Sequence, residues 1–249
     1  MQVVLRVYAT ILGQFTKKLL NRQIQIVAKF NEDEEIFMIT GGYRPETHTL
    51  AKYVASVRKR FVKSILGQSH LCGGSIISAK VILTSAQCMF ISDTERQYYA
   101  NELSVVIGTT DRLNRTKTTE RLLVSNIKVH EKFSPDAIYW DVALMILYRK
   151  IKLNGWSAAI IPLAIIPADI NTVCTVLGWG RFYENGPKAD HIAYVDIAVL
   201  DNSTCMRLMP HLGEEQFCAA DIDDLSKDAC EGDVGGPLIC DGIFHYSAM

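Results

Sequence analysis

One glycine-rich segment near the end of the sequence has the shape of a loop that presents a nucleophile. It reads Gly-Asp-Val-Gly-Gly-Pro and covers residues 232–237. In a loop of the form Gly-Asp-Ser-Gly-Gly-Pro, the glycines allow tight backbone geometry and the central serine attacks a carbonyl carbon. Here the central residue is Val234, whose side chain has no atom that attacks a carbonyl or exchanges a proton. The segment therefore predicts the backbone of a nucleophile loop without its covalent chemistry.

Two upstream segments complete the pattern of a Ser-His-Asp mechanism, in which histidine takes the serine proton and aspartate orients the histidine. Residues 83–88 read Leu-Thr-Ser-Ala-Gln-Cys, and residues 141–144 read Asp-Val-Ala-Leu. Together with the glycine-rich loop, they resemble the catalytic blocks of the trypsin/chymotrypsin-like (S1 family) serine proteases. The resemblance places Gln87 at the histidine, Asp141 at the aspartate and Val234 at the serine. Two of the three catalytic groups are replaced, which predicts a non-catalytic homologue of these proteases.

Neither replacement restores the missing chemistry. The Gln87 amide has no useful pKa, so it is not a general base, and Val234 removes the covalent step. Because a buried carboxylate without a partner is costly, we expect the Gln87 NH₂ group to donate a hydrogen bond to Asp141. The resemblance also implies that the backbone N–H groups of Gly232 and Val234 occupy the oxyanion-hole positions. Ser75 is most simply a strand residue beside a disulfide. Six histidines lie in other sequence blocks: His48, His70, His130, His191, His211 and His245.

Two carboxylates near the loop align with further features of the family. Asp228 aligns with the pocket-floor carboxylate that favours Arg or Lys substrates, and the alternative is that it is an inherited remnant. Asp233 aligns with the carboxylate that pairs with the α-amino group made by activation cleavage, and Ile39 with the residue that carries this group. The residues before Ile39 are Phe37 and Met38, neither of them basic. A trypsin-like activator is therefore not expected to cut there, and the activation pair is not expected to form.

Composition excludes several classes of partner. The 249 residues include 26 Lys and Arg and 27 Asp and Glu, which gives a net charge of −1. This balance provides no electrostatic basis for binding nucleic acid or an anionic membrane. No His/Cys cluster with metal-ligand spacing occurs, so we expect no metal and no cofactor. We therefore expect the partners of this chain to be proteins.

The seven cysteines favour an oxidising compartment if they pair. The family resemblance leaves one of them, Cys230, without its usual partner, which would lie on a strand beyond residue 249. An intermolecular disulfide to another chain is one role for Cys230. The resemblance implies three disulfides: Cys72–Cys88, Cys174–Cys240 and Cys205–Cys218.

Residues 1–38 are predicted to be a leader or pro-segment. Residues 7–13 form a short apolar run after Arg6, as in a weak secretory leader. The basic composition of residues 1–31 also suits a transit peptide or an interfacial helix, and a mis-assigned start is a third interpretation. No run approaches the roughly 20 apolar residues of a membrane span. We expect a secreted, extracellular protein, which two N-glycosylation sequons, at Asn114 and Asn202, also favour.

From Ile39 onward, short apolar runs rich in β-branched residues are separated by Gly, Pro, Asn and Asp, which predicts an all-β protein. This pattern alone allows a barrel or a sandwich. The resemblance implies a trypsin-like domain over residues 39–249 with two antiparallel β-barrels, the first over about 39–154 and the second over about 155–249. Family members continue with further strands and a helix, so the second barrel is predicted to be truncated at its C-terminal end. Open edges covered by another chain, a poorly stable product and an incomplete gene model are alternatives that stay open.

The sequence thus predicts a secreted, catalytically inactive serine protease homologue that acts by binding protein. Its partner would be a protease, a protease inhibitor or a protease substrate, with the chain serving as a decoy, an adaptor or a regulator in a proteolytic cascade. One alternative is an active serine-type endopeptidase with trypsin-like specificity, which requires a nucleophile and a base that the sequence does not show. A truncated product without function is the other.

Overall fold

The computed structural model describes residues 42–60, 67–91, 94, 96–134, 139–183, 185–208, 216, 218–222 and 229–247. These ranges are mostly antiparallel β-structure, which confirms the all-β prediction. The strands are β1 (Val54–Lys59), β2 (His70–Ser78), β3 (Val81–Thr84), β4 (Leu103–Ile107), β5 (Glu120–Val129), β6 (Ala143–Leu147), β7 (Val173–Gly178), β8 (Ala193–Val199), β9 (Ala219–Ala220), β10 (Pro237–Cys240) and β11 (Ile243–Ser247). The helices of these ranges are α1 (Asn202–Leu208) and short 3-10 helices at Ala51–Tyr53, Gln87–Met89 and Ala100–Glu102. None of them is long and apolar enough to cross a membrane.

The first six strands close into a barrel in the order β1-β2-β3-β6-β5-β4. β5 shows the reason most clearly, because Leu122 and Val124 are buried while Leu123 and Ser125 between and after them are exposed. Successive side chains of a strand point to opposite faces, so this alternation places one set of residues inside the barrel. The closed first barrel therefore has a continuous apolar core.

The other five strands form an antiparallel sheet in the order β11-β10-β7-β8-β9. One face has its own apolar core, which includes Val176, Val195 and Leu238. In the described residues this sheet is not closed, and β9 and β11 are its edges. Residues of its opposite face, Leu177 among them, form a further buried cluster with Val54 and other residues near the first barrel.

Three disulfides join neighbouring elements, and they are the pairs that the resemblance implies. Cys72–Cys88 links β2 to the 3-10 helix after β3, Cys174–Cys240 links β7 to β10, and Cys205–Cys218 links α1 to the residue before β9. Cys230 takes part in none of these three bonds. An intermolecular disulfide through this cysteine stays a prediction.

Candidate functional site

The Gln87 and Asp141 positions are brought together by two neighbouring strands. β3 pairs with β6, and Thr84 lies opposite Ala143 at the end of this pairing. Gln87 follows β3 at the start of a 3-10 helix, and Asp141 lies two residues before the start of β6. Both side chains therefore emerge at the same end of the first barrel.

The Asp141 carboxylate is buried and accepts three hydrogen bonds from the segment that contains Gln87. The Gln87 side-chain Nε2 donates to Oδ2 at 2.6 Å, and the Gln87 backbone N–H donates to Oδ1 at 2.7 Å. The Ser85 hydroxyl also donates to Oδ2. The hydrogen bond that the sequence predicts between the Gln87 amide and the carboxylate is thus present. Glutamine satisfies the buried acceptor and removes the proton transfer.

Burial raises the pKa of Asp141 above its ordinary value, because the charged form is poorly solvated. Hydrogen bonds from the Ser85 hydroxyl and from the backbone and side chain of Gln87 act in the opposite direction, since they stabilise the carboxylate. This site depends on its donors, and losing one of them leaves a buried oxygen less satisfied.

We expect Gln87→Leu to lower the free energy of unfolding by about 2 kcal/mol, because the Nε2 donor to Asp141 is lost while the carboxylate stays buried. Gln97→Leu is a matched control, since Gln97 is exposed. Gln87→His should cost less than Gln87→Leu, because the imidazole ring also carries N–H donors. Urea denaturation at neutral pH measures all three variants. Equal stabilities for the two leucine variants would contradict the structural role of Gln87.

The nucleophile loop keeps a close-fitting backbone. The Gly73 N–H donates to the Val234 carbonyl at 2.8 Å. Gly235 has φ +83°, and a Cβ at this position would lie 2.3 Å from the Thr84 hydroxyl oxygen, so only glycine fits. The Val234 side chain is half-buried against the core of the first barrel. Val234 thus sits beside the Gln87 segment, with its carbonyl 3.8 Å from the Cys88 sulfur.

The backbone N–H groups of Gly232 and Val234 donate no hydrogen bond within the described part of the chain. Gly232 has φ +107°, a conformation that side-chain-bearing residues rarely adopt. Two unengaged donors are what an oxyanion hole requires. The role itself stays a prediction for this chain.

Asp233 is fully buried beneath the loop. Its Oδ1 accepts from the Gly180 N–H at 2.7 Å, and its Oδ2 accepts from the Cys230 N–H at 3.1 Å. Burial raises its pKa to about 6, although these two hydrogen bonds and the nearby Lys188 ammonium favour the charged form. In the described part of the chain, no side-chain cation bonds to this carboxylate.

His70 has a role that the sequence did not indicate. Its Nε2 lies 2.9 Å from the Gly232 carbonyl, its Nδ1 lies 2.8 Å from the Ser56 hydroxyl, and its ring meets Trp179 edge-on at 5.8 Å. Burial and the nearby Lys188 ammonium hold the pKa of His70 well below its ordinary value. Both ring nitrogens are engaged, so His70 positions the loop backbone and does not replace the missing base. The sequence feature that could have indicated this role is the position of His70 directly before the Leu-Cys-Gly-Gly-Ser block.

The role of Trp140, next to Asp141, was also not predicted from the sequence. Its backbone has φ +55°, which is unusual for a bulky residue. The ring stacks on His130 at 4.9 Å with a 10° angle between planes, and the Lys132 ammonium lies 4.9 Å from its centroid. These contacts offset the backbone strain and fix the chain just before the carboxylate.

Other predicted site residues fall outside the part of the chain that the structure describes. They are Asp228, which aligns with the pocket floor, and Ile39, which aligns with the activation residue. Residues 1–38, predicted as a leader or pro-segment, also lie outside it. Ser75 is buried on β2, and its hydroxyl has no hydrogen-bond partner among the residues that the structure describes.

Comparison with known proteins identifies the family. A family model described as Trypsin matches residues 39–246. The chain is 34% identical over 178 residues to Hypodermin-B of Hypoderma lineatum. The aligned region covers 70% of this chain and 64% of that protein. The chain is 28% identical over 219 residues to Trypsin-1 of Gadus morhua, covering 88% of this chain and 81% of that protein. It is 27% identical over 220 residues to Duodenase-1 of Bos taurus, with the same coverage. Because the matched region is most of the sequence and contains the loop, the carboxylate and the closed barrel, the chain belongs to the trypsin family of serine proteases.

Proposed function

We propose that this chain is a catalytically inactive serine protease homologue that acts by binding protein. The main support for this proposal is the Gln87–Asp141 hydrogen bond of 2.6 Å, because it places a neutral amide where the serine protease mechanism needs a base. The serine position holds Val234, so no acyl-enzyme can form there.

The surroundings supply no substitute within the described residues. The Ser85 hydroxyl contacts the Asp141 carboxylate and donates a hydrogen bond to it. Among the described residues the Ser85 hydroxyl bonds to Asp141 and not to an imidazole, and both ring nitrogens of His70 are engaged, by Gly232 and Ser56. A hydroxyl without a base is a poor nucleophile at neutral pH.

The framework that remains supports a binding role. The barrel is closed, the loop backbone is tightly packed, and the buried carboxylate is satisfied. Such a chain presents a protease-like surface to a protease inhibitor, a protease or a protease substrate, and so acts as a decoy, an adaptor or a regulator. Its three disulfides agree with secretion.

A fluorophosphonate probe tests the proposal, because it reacts with a serine that an adjacent base has activated. Purified protein should remain unlabelled under conditions that label an active trypsin-family protease completely. Labelling that an active-site competitor abolishes would overturn the proposed inactivity.

We also expect both sequons to carry glycans when the chain passes through a secretory pathway. Asn114 lies in an exposed loop, and Asn202 is the exposed first residue of α1. Asn114→Gln and Asn202→Gln should each remove one step of the mobility shift caused by peptide N-glycosidase, and the double variant should remove both. A wild-type protein from such a host with no shift would contradict the secreted, glycosylated assignment.

A further inference from the structure

A row of exposed aliphatic side chains lies between the first barrel and β7. Their exposed fractions are large: Leu163 50%, Ile165 98%, Ile166 74%, Ile170 57% and Val173 62%. Single exposed apolar residues are ordinary on a protein surface, whereas several branched aliphatics in one segment indicate a contact surface. These five residues are called the aliphatic patch below.

The aliphatic patch is fixed to the second sheet at both ends. The Ala164 N–H donates to the Phe244 carbonyl of β11 at 2.8 Å. At the other end, the Asn171 N–H donates to the Val199 carbonyl of β8 at 2.8 Å, and the Val199 N–H donates to Thr172 at 3.0 Å. The surface is therefore preformed, and a partner that binds there does not have to order it first.

The segments that supply the aliphatic patch and most of the second sheet contain acidic residues and no lysine or arginine. Residues 153–180, 189–206 and 229–247 contain no lysine or arginine. Exposed carboxylates come from the same stretches, at Asp169, Asp196 and Asp241. An apolar surface among carboxylates favours a partner that is both apolar and basic.

The chain itself contains such a partner before residue 42. Residues 14–31 have no acidic residue. Their basic residues are Lys17, Lys18, Arg22 and Lys29, and their larger apolar residues are Phe15, Leu19, Leu20, Ile24, Ile26, Val27 and Phe30. No basic residue stands directly before Ile39, so a trypsin-like cut there would not release this segment.

The described chain begins beside β8, and the Tyr43 side chain reaches the face of the sheet that carries Val173 of the patch. Tyr43 exchanges backbone hydrogen bonds with Tyr194 of β8, at 2.8 and 2.9 Å. Its hydroxyl donates to Asp196 at 3.0 Å, and the Thr175 hydroxyl donates to the same carboxylate at 2.7 Å. Thr175 is two residues from Val173 on β7, so the two side chains share a face. Residues 32–41 span at most about 33 Å when extended at roughly 3.3 Å per residue. Tyr43 and Thr175 bond to the same carboxylate, and Val173 is two residues from Thr175, so the segment before residue 32 can reach Val173.

We propose that residues 14–31 dock on the aliphatic patch of their own chain. The apolar side chains of the segment cover the aliphatics, and its lysines and Arg22 face Asp169, Asp196 and Asp241. This docking involves none of the three catalytic positions, so its test is independent of the test of the proposed inactivity.

Limited digestion of the full chain with a lysine-specific protease tests the docking, with mass spectrometry following cleavage after Lys17, Lys18 and Lys29. Docking protects these bonds, so cleavage of the wild type should be about tenfold slower than that of the Ile165→Asp/Ile166→Asp variant. Both replaced side chains are mostly exposed, so the variant should keep the wild-type unfolding midpoint. Leu123→Asp/Tyr148→Asp is the matched control, because it replaces two exposed apolar residues of the first barrel and should be cleaved at the wild-type rate.

A charge variant and a cross-link give independent readouts. Lys17→Glu/Lys18→Glu should accelerate cleavage after Lys29 without touching the folded domain. A zero-length carbodiimide should join lysines of residues 14–31 to Asp169 or Asp241 within one molecule. Equal digestion of the wild type and the patch variant would overturn the proposal. Links between isotopically distinct copies, or sedimentation with lipid vesicles that depends on Ile165 and Ile166, would also overturn it in favour of a second copy or a membrane.

Discussion

Restoring both lost groups, in a Gln87→His/Val234→Ser variant, will not bring peptide hydrolysis to the rate of an active trypsin-family protease. The replaced positions themselves accept the change, because the Gln87 Nε2 already lies 2.6 Å from the Asp141 carboxylate. In the described residues the Asp233 carboxylate, directly beside the loop, accepts from two backbone N–H groups and has no charged partner in hydrogen-bond contact. No basic residue stands directly before Ile39, where a trypsin-like activator would have to cut to create that partner. If the loop donors are misplaced as a result, the rate stays at least about 10²–10³-fold low, the cost of losing one oxyanion-hole donor.

The single variants are the controls for this experiment. A serine and a histidine act as a unit, and losing either costs about as much as losing both, roughly 2 × 10⁶ in kcat. Gln87→His and Val234→Ser alone should therefore be indistinguishable from the wild type in a chromogenic amide assay. Activity of the double variant near that of the intact enzyme would show that the framework is fully competent, and that the two substitutions are the whole cause of inactivity.

The contact between Gln87 and Asp141 could be predicted from the sequence because it follows from local chemistry. A buried carboxylate needs donors, and a glutamine in the histidine position supplies one. The pairing of the three disulfides was implied by the resemblance to the family, through the sequence blocks in which the cysteines lie. In these cases residue type and position along the chain carry the information.

The loop support by His70 could not be predicted in this way. Its partner atom is the carbonyl of Gly232, which is 162 residues away in sequence. Every residue has a backbone carbonyl, so the sequence does not show which one His70 contacts. The conformation of Trp140 is equally hidden, because a left-handed φ at a bulky residue depends on the stack with His130 and Lys132 that offsets it.

For the aliphatic patch, the residue types alone indicate burial, whereas the side chains are exposed. An apolar run such as residues 160–166 is typical of a buried strand. The structure instead places Ile165 and Ile166 at the surface, next to Ala164, whose backbone N–H donates to Phe244 of β11, and no described element covers the two isoleucines. Burial depends on what packs against a segment, and the segment alone does not encode it.

The stability of the wild type, relative to that of Asp233→Asn, is expected to fall as the pH rises from about 4 to 7. Burial raises the pKa of Asp233 to about 6 in the folded state, and an unfolded aspartate has a pKa of about 3.9. Between these values the folded chain holds a proton that the unfolded chain has released, so a higher pH favours unfolding. The difference of about two pKa units corresponds to about 3 kcal/mol, present below pH 4 and lost above pH 6.

The comparison has to be made between variants because other buried groups titrate in the same range. The pKa of His70 is lowered, so its protonation destabilises the folded state as the pH falls, which opposes the effect of Asp233. His70 and Asp141 are present in both proteins and cancel in the difference. Asp233→Asn also weakens the hydrogen bond from Cys230, but that cost does not depend on pH. Asp241→Asn is the matched control, since Asp241 is exposed and its variant should track the wild type at every pH.

The sign of this slope also reports whether Asp233 has acquired a cationic partner. An ammonium group at Ile39, bonded to the carboxylate, would lower its pKa below the unfolded value. The wild type would then gain stability relative to Asp233→Asn as the pH rises. Urea denaturation of the full chain at intervals from about pH 4 to 7 distinguishes the two cases. A falling difference supports a carboxylate held by Gly180, Cys230 and the distant Lys188, and a rising one would show that the activation pair forms although no basic residue stands directly before Ile39.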